Sequence, residues 1–166
     1  MNLDTFLQLF DEHHLPLYRF AYRMTGSVAD AEDVVQECFL QLLRPGGFYD
    51  PARTQIRTYL FGVVRNQSLK RRARAAPEGL EPTHERTPER QILQTELEAA
   101  VARAVTQLPE GQREALILAH YEQMPLAEIA RVMDLEVTAV KSRLQRARAS
   151  LKETLAAYAV TPERRR

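Results

Sequence analysis

Apolar residues recur along this chain at helical spacing, and glycine and proline cluster between the periodic stretches. Phe6, Leu9, Phe10, Leu17, Phe20, Ala21 and Met24 predict a first helix over Leu3–Met24, with a bend near Pro16. Thr25-Gly26 reads as its stop, because glycine tolerates the left-handed conformation that closes a helix. Ser27 is placed to cap the next helix, with Asp30 three residues on. In that second helix, Val28 to Arg44, Ala31, Val35, Cys38, Phe39 and Leu42 form one apolar stripe. Asp30, Asp33, Gln36, Glu37 and Gln41 are left toward solvent. Pro45 to Pro51 predicts a loop, and Ile56, Leu60, Val63, Val64 and Leu69 predict a third helix from Thr54 to Ala75.

Residues 76–90 hold three prolines and almost no apolar side chain, which predicts a flexible acidic linker and a domain boundary. Beyond it the pattern predicts helices over Glu89–Gln107, Pro109–Glu122, Pro125–Met133 and Val137–Ala157, with Pro109 and Pro125 in first turns and a frayed tail from Thr161. No strand pattern and no fixed repeat is visible. The expected fold is all-α: two small helical domains, 1–75 and 91–160, joined by the linker 76–90, the C-terminal one a helix-turn-helix.

The helix-turn-helix rests on residues 125–152. Ala130 is small where two helices would cross, and Asp134 falls at the turn, where a left-handed residue is needed. Leu135 and Val140 would pin the second helix to the first. In that helix Val140, Leu144, Ala147 and Leu151 form an apolar base. Ser142, Gln145, Arg146 and Ala149 form the opposite crest, flanked by Lys141, Arg143 and Arg148. Such a helix suits the DNA major groove, with shoulders on phosphates and crest on base edges. An ordinary amphipathic helix with a solvated basic face would look similar; the preceding helix and turn favour the groove.

The chain has 166 residues, 45% of them hydrophobic, and a formal net charge of +1. That balance hides a segregation of sign. Residues 1–52 hold eight acids and three bases, and residues 76–136 hold twelve acids and five bases. Residues 53–75 hold seven bases and 137–152 hold five, with no acid in either. Two acid-free blocks suggest two polyanion contacts on one chain. A single cysteine, Cys38, excludes an internal disulfide and a multi-thiolate zinc site. His13 and His14 are adjacent and so point in different directions, while His84 falls in the linker and His120 on an apolar helix. No glycine-rich phosphate loop or nucleophile-base arrangement is present. The expectations are therefore no metal, no cofactor and no catalysis. No apolar run is long enough to cross a bilayer and no secretory leader is visible, so a cytoplasmic protein is expected.

Three motifs then resemble one family. Asp30-Ala31-Glu32-Asp33-Val34-Val35-Gln36-Glu37-Cys38-Phe39 resembles the helix by which bacterial sigma factors grip the RNA polymerase clamp. Tyr59-Leu60-Phe61-Gly62-Val63-Val64-Arg65-Asn66, then Leu69 and Lys70-Arg71-Arg72, resembles their promoter-melting segment. Leu108-Pro109-Glu110, Arg113-Glu114, Glu128-Ile129-Ala130 and Val140-Lys141-Ser142-Arg143-Leu144 with Arg146-Ala147-Arg148 resemble their fourth region. The small size and the lack of a third region point to the extracytoplasmic-function (ECF) subfamily. Leu43 and Tyr59 stand where that subfamily commonly has tryptophan, Asp134 replaces its usual turn glycine, and Thr138-Ala139 replaces a usual Gly-Thr.

The resemblance implies a non-catalytic protein that binds core RNA polymerase and promoter DNA and is held by an inhibitory anti-sigma partner. It implies docking on polymerase through Asp33, Gln36 and Glu37. It implies −10 recognition and melting by Arg53, Arg57, Tyr59, Arg65, Asn66, Lys70 and Arg71, with Phe61 either a further wall for an unstacked base or a core side chain. It implies −35 recognition by Lys141, Ser142, Arg143, Gln145, Arg146 and Arg148. The alternative is a stand-alone helix-turn-helix regulator that binds an operator as a dimer. A second rival, an enzyme or interaction module with an incidental helix-turn-helix, is opposed by the acid-free block 53–75.

Overall fold

Short polar side chains set the helix ends of the first half. In the computed structural model, residues 1–47, 49–75 and 96–159 are described, and helix α1 spans Leu3–Thr25. The Asn2 side chain accepts the Thr5 N–H at 2.8 Å, satisfying one orphan donor of the first turn. Gly26 closes the helix with φ 71°, its N–H bonded to the Tyr22 carbonyl at 2.8 Å. A side chain there would be strained. Ser27 caps α2 (Val28–Leu43) by accepting the Asp30 N–H at 3.2 Å. Helix α3 spans Ile56–Ala75. α1 runs through Pro16, which withholds one backbone donor from its ladder.

These three helices pack pairwise on one another. Their shared core holds Leu17, Phe20, Ala21 and Met24 of α1, Ala31, Val34, Val35, Cys38 and Phe39 of α2, and Leu60, Phe61 and Val64 of α3. Each large side chain buried here contributes about 1.5–3 kcal/mol. Phe61, for which the sequence left a core position and a wall for DNA equally open, is 1% exposed, with its ring 5.3 Å from that of Phe20. The apolar period of α3 decides between the two, because Phe61 follows Leu60 and precedes Val64 on the side that α1 covers.

The second unit contains α4 (Glu96–Thr106), α5 (Glu110–Leu116), the larger part of α6 (Leu126–Met133), α7 (Val137–Thr154) and the short α8 (Ala156–Ala159). The helix expected over Pro109–Glu122 is interrupted: α5 ends at Leu116 and widens into a π-helical turn over Ile117–Tyr121. Residues 115–119 are apolar at every position, so they carry no period that separates a regular turn from a wide one. Pro109 stands just before α5 rather than in its first turn, and its carbonyl accepts the Gln112 and Arg113 N–H groups at 3.0 Å. The helix expected to Ala157 breaks at Leu155.

Leu108, Leu116 and Ala147 form a buried cluster of this unit, with Val105 and Leu151 packed against it. Arg113 is 3% exposed, and its Nη1 donates to the Thr106 carbonyl at 3.1 Å. Thr106 ends α4, so the guanidinium meets a carbonyl that the helix itself leaves unpaired.

The helix-turn-helix is α6, three residues and α7. Asp134 takes φ 54°. The Leu135 N–H reaches the Ala130 carbonyl at 2.8 Å and the Asp134 N–H reaches Arg131 at 3.3 Å. That pair of bonds is a Schellman closure, in which aspartate occupies the left-handed position that favours glycine. The described residues fall into two compact units, one holding α1–α3 and the other most of α4–α8. The expected linker 76–90, the helix start at Glu89 and the tail from Thr161 lie outside the described residues.

Candidate functional site

Burial of Ala31, Val34, Val35, Cys38 and Phe39 turns the opposite side of α2 outward. Asp33 and Gln36 are exposed there and Glu37 is half-buried. These three line one shallow groove together with Leu40 of α2 and Gln67 and Arg71 of α3. Leu40 is 53% exposed, so the groove carries one apolar side chain among polar and charged ones. Glu37 accepts from Arg44 at 3.2 Å and from Gln41 at 3.4 Å. The Nη1 of Arg71 donates to Asp30 at 3.2 Å and to Asp33 at 3.3 Å. Leu40 and Gln67 were missed in the sequence, although Leu40 lies four residues beyond Gln36 and so shares its face.

The remaining candidates on α3 and the loop before it divide. Arg53 is exposed and pairs with Asp50 at 3.5 Å, and Asp50 also holds the loop by accepting the Ala52 N–H at 2.9 Å. The Arg57 guanidinium carbon lies 5.7 Å from the centre of the Phe61 ring. Arg65 approaches the Asn66 side-chain oxygen at 3.5 Å, and Asn66 and Lys70 are exposed. Tyr59 is half-buried, its ring 5.3 Å from that of Tyr49. Burial, and then the field of Cys38, push its hydroxyl above the ordinary tyrosine range, so it is neutral. Tyr49 escaped sequence reasoning; the one signal for it was the aromatic pair Phe48-Tyr49 inside a loop otherwise made of glycine, proline and aspartate.

On α7 the base holds Val140, Leu144 and Ala147, all buried, with Leu151 half-buried. Lys141, Gln145, Arg146 and Arg148 are exposed and Ser142 is half-buried, giving one continuous polar surface. Arg143 is set apart. It is half-buried, and its guanidinium lies against Gly111 at the start of α5.

The thiol of Cys38 is buried, with Sγ donating to the Leu60 carbonyl at 3.8 Å, and burial pushes its pKa up to about 12. A thiol so protected is a core side chain without nucleophilic reactivity. His13 is buried, whereas His14 stacks on Phe10 at 4.7 Å. Among the described residues no group of three His, Cys, Asp or Glu side chains could hold a metal ion. Among them, too, no helix is long and apolar enough to cross a membrane.

Residues 9–77 match the family described as Sigma-70 region 2, and residues 98–151 match Sigma-70, region 4. The chain is 36% identical over 161 residues to the ECF RNA polymerase sigma factor SigL of Mycobacterium tuberculosis, covering 92% of this chain and 90% of that protein. It is 35% identical over 158 residues to SigM of the same species, covering 90% and 76%. SigW of Bacillus subtilis is 26% identical over 168 residues, covering 92% and 89%. Among solved structures, CnrH in complex with the cytosolic domain of CnrY superposes with a TM-score of 0.70 at 29% identity, covering 94% of this chain and 90% of that one. The sigma factor RpoE of Bartonella quintana, solved with the anti-sigma factor NepR, gives a TM-score of 0.75 at 23% identity, covering 93% and 98%; it shares the fold. With both of its helical units matched and relatives at this identity aligned along most of their length, the chain belongs to the ECF RNA polymerase sigma factors.

Proposed function

We propose that the chain is an alternative sigma factor that binds core RNA polymerase and directs initiation at a specific set of promoters. In this reading residues 1–75 dock on polymerase through Asp33, Gln36 and Glu37 and recognise and melt the −10 element with Arg53, Arg57, Tyr59, Arg65, Asn66, Lys70 and Arg71. Residues 91–160 read the −35 duplex with Lys141, Ser142, Gln145, Arg146 and Arg148 of α7, with Arg143 at the edge. Residues 76–90 link the two. The protein acts without catalysis, in the cytoplasm, and an anti-sigma factor is its inhibitory partner, a reading supported by the RpoE structure solved with the anti-sigma factor NepR.

One observation carries the reading: each unit bears its own acid-free cationic block, and the first unit also bears a cluster of acids on α2. A small basic patch alone binds DNA weakly and without sequence preference. Two patches held at fixed spacing by one large partner gain effective concentration. Transcription in vitro, with core polymerase and a library of random promoter sequences, tests this. Transcripts should start at a restricted set of sequences sharing two spaced elements. Start sites unchanged from core polymerase alone refute it.

A further inference from the structure

The groove on the first unit brings together two residues with different assignments. Asp33 belongs to the polymerase-docking face and Arg71 to the −10 surface, yet one guanidinium nitrogen of Arg71 bridges Asp30 and Asp33 at 3.2 and 3.3 Å. The two acids stand three residues apart on α2, so their carboxylates lie on one side of the helix, and α3 packs where Arg71 reaches both. The Arg71 side chain is 34% exposed, Asp30 38% and Asp33 59%. A pair this wet is weak and exchanges partners readily. While it stands, Arg71 is neutralised by two carboxylates and cannot contribute fully to a phosphate contact, and Asp33 cannot offer its full charge to a basic partner.

We infer that the Arg71–Asp30–Asp33 ion pair is a latch between the polymerase face and the promoter helix: docking engages Asp33, leaves Arg71 held by Asp30 alone, and so eases the transfer of Arg71 to a DNA phosphate. The inference rests on the reading of Asp33 as a docking residue and adds the regulation of that site. Because both events break the same ion pair, each favours the other, and the coupling is reciprocal. The latch lowers the DNA affinity of the free chain and raises it on assembly.

The test measures binding of a labelled, mixed-sequence 20-nucleotide single-stranded DNA by the full chain. The Asp30→Asn/Asp33→Asn chain should bind this probe several-fold more tightly than a control of equal charge, Asp11→Asn/Glu32→Gln, whose residues are exposed on α1 and α2. Its salt dependence should steepen by about 0.7 in log–log slope, the share of one single-strand phosphate. Arg71→Ala should cost less than twofold in the wild-type free chain. It should cost several-fold both in the Asp30→Asn/Asp33→Asn chain and in promoter binding by the assembled holoenzyme. Equal cost of Arg71→Ala in all three settings, or a gain no larger than that of the control, overturns the latch. Failure here leaves the docking reading standing, because the first measurements contain no polymerase. The docking reading falls separately, if Asp33→Ala/Gln36→Ala leaves affinity for core polymerase unchanged.

Discussion

The guanidinium of Arg143 rests on the bare Cα of Gly111, so that a Cβ there would stand 2.9 Å from the Arg143 Cζ. The obstructing group is the end of a flexible side chain, which can swing away. Glycine within a helix costs about 0.5–1 kcal/mol relative to alanine. Gly111→Ala is therefore expected to leave the second unit as stable or to stabilise it by up to about 1 kcal/mol. Thermal unfolding of the variant checks this; a loss above 1 kcal/mol would make the Arg143 contact structural.

Arg146 stands exposed in the middle of the polar surface of α7, whereas Arg143 is turned to the edge. Arg146→Ala should lower discrimination between −35 sequences by roughly 1–3 kcal/mol, the value of a good base contact. Arg143→Ala should change it less. Reporter transcription on a −35 substitution series, with both variants, measures the difference, and an unchanged preference in Arg146→Ala would reject its role.

Asp33 and Gln36 project from α2 while its buried stripe holds the fold, so the two functions separate. Asp33→Ala/Gln36→Ala should keep the helical circular dichroism and cooperative melting of the parent and lose most of its retention on immobilised core polymerase. Full retention would remove this face from the docking surface.

His13 is 7% exposed, and its pKa is lowered from 6.5 chiefly by burial, with Arg57 adding to the shift and Glu12 opposing it. The unfolded chain therefore takes up this proton at a higher pH than the folded one. Stability is complete above pH 6.5 and falls as pH drops from there toward the lower folded value. Urea unfolding at pH 7.5 and 5.5 should show a loss in the parent that is smaller in His13→Gln. Equal losses in the two chains would assign the effect to other groups.

The features that sequence reasoning reached were those decided within about one helical turn. Gly26 and Ser27 mark a stop and a cap because one backbone group and one hydroxyl are enough to make them. Asp134 was legible as the left-handed turn residue for the same reason. Phe61, Arg113 and the π-helical turn were not. Phe61 sits in a stretch where a core ring and a DNA-facing ring share one pattern. Arg113 looks like a surface charge until the end of α4 is brought beside it.

The order of residues by itself determined the helices, their caps, the two acid-free basic blocks and the acidic face of α2, because spacing and charge along a helix are local properties. The tertiary structure alone decided where the long cations go. Arg71 meets Asp33 across 38 residues of sequence, and Arg143 lies on Gly111. A guanidinium on a flexible stem reaches many places from the same backbone, and which partner it finds depends on how neighbouring helices pack.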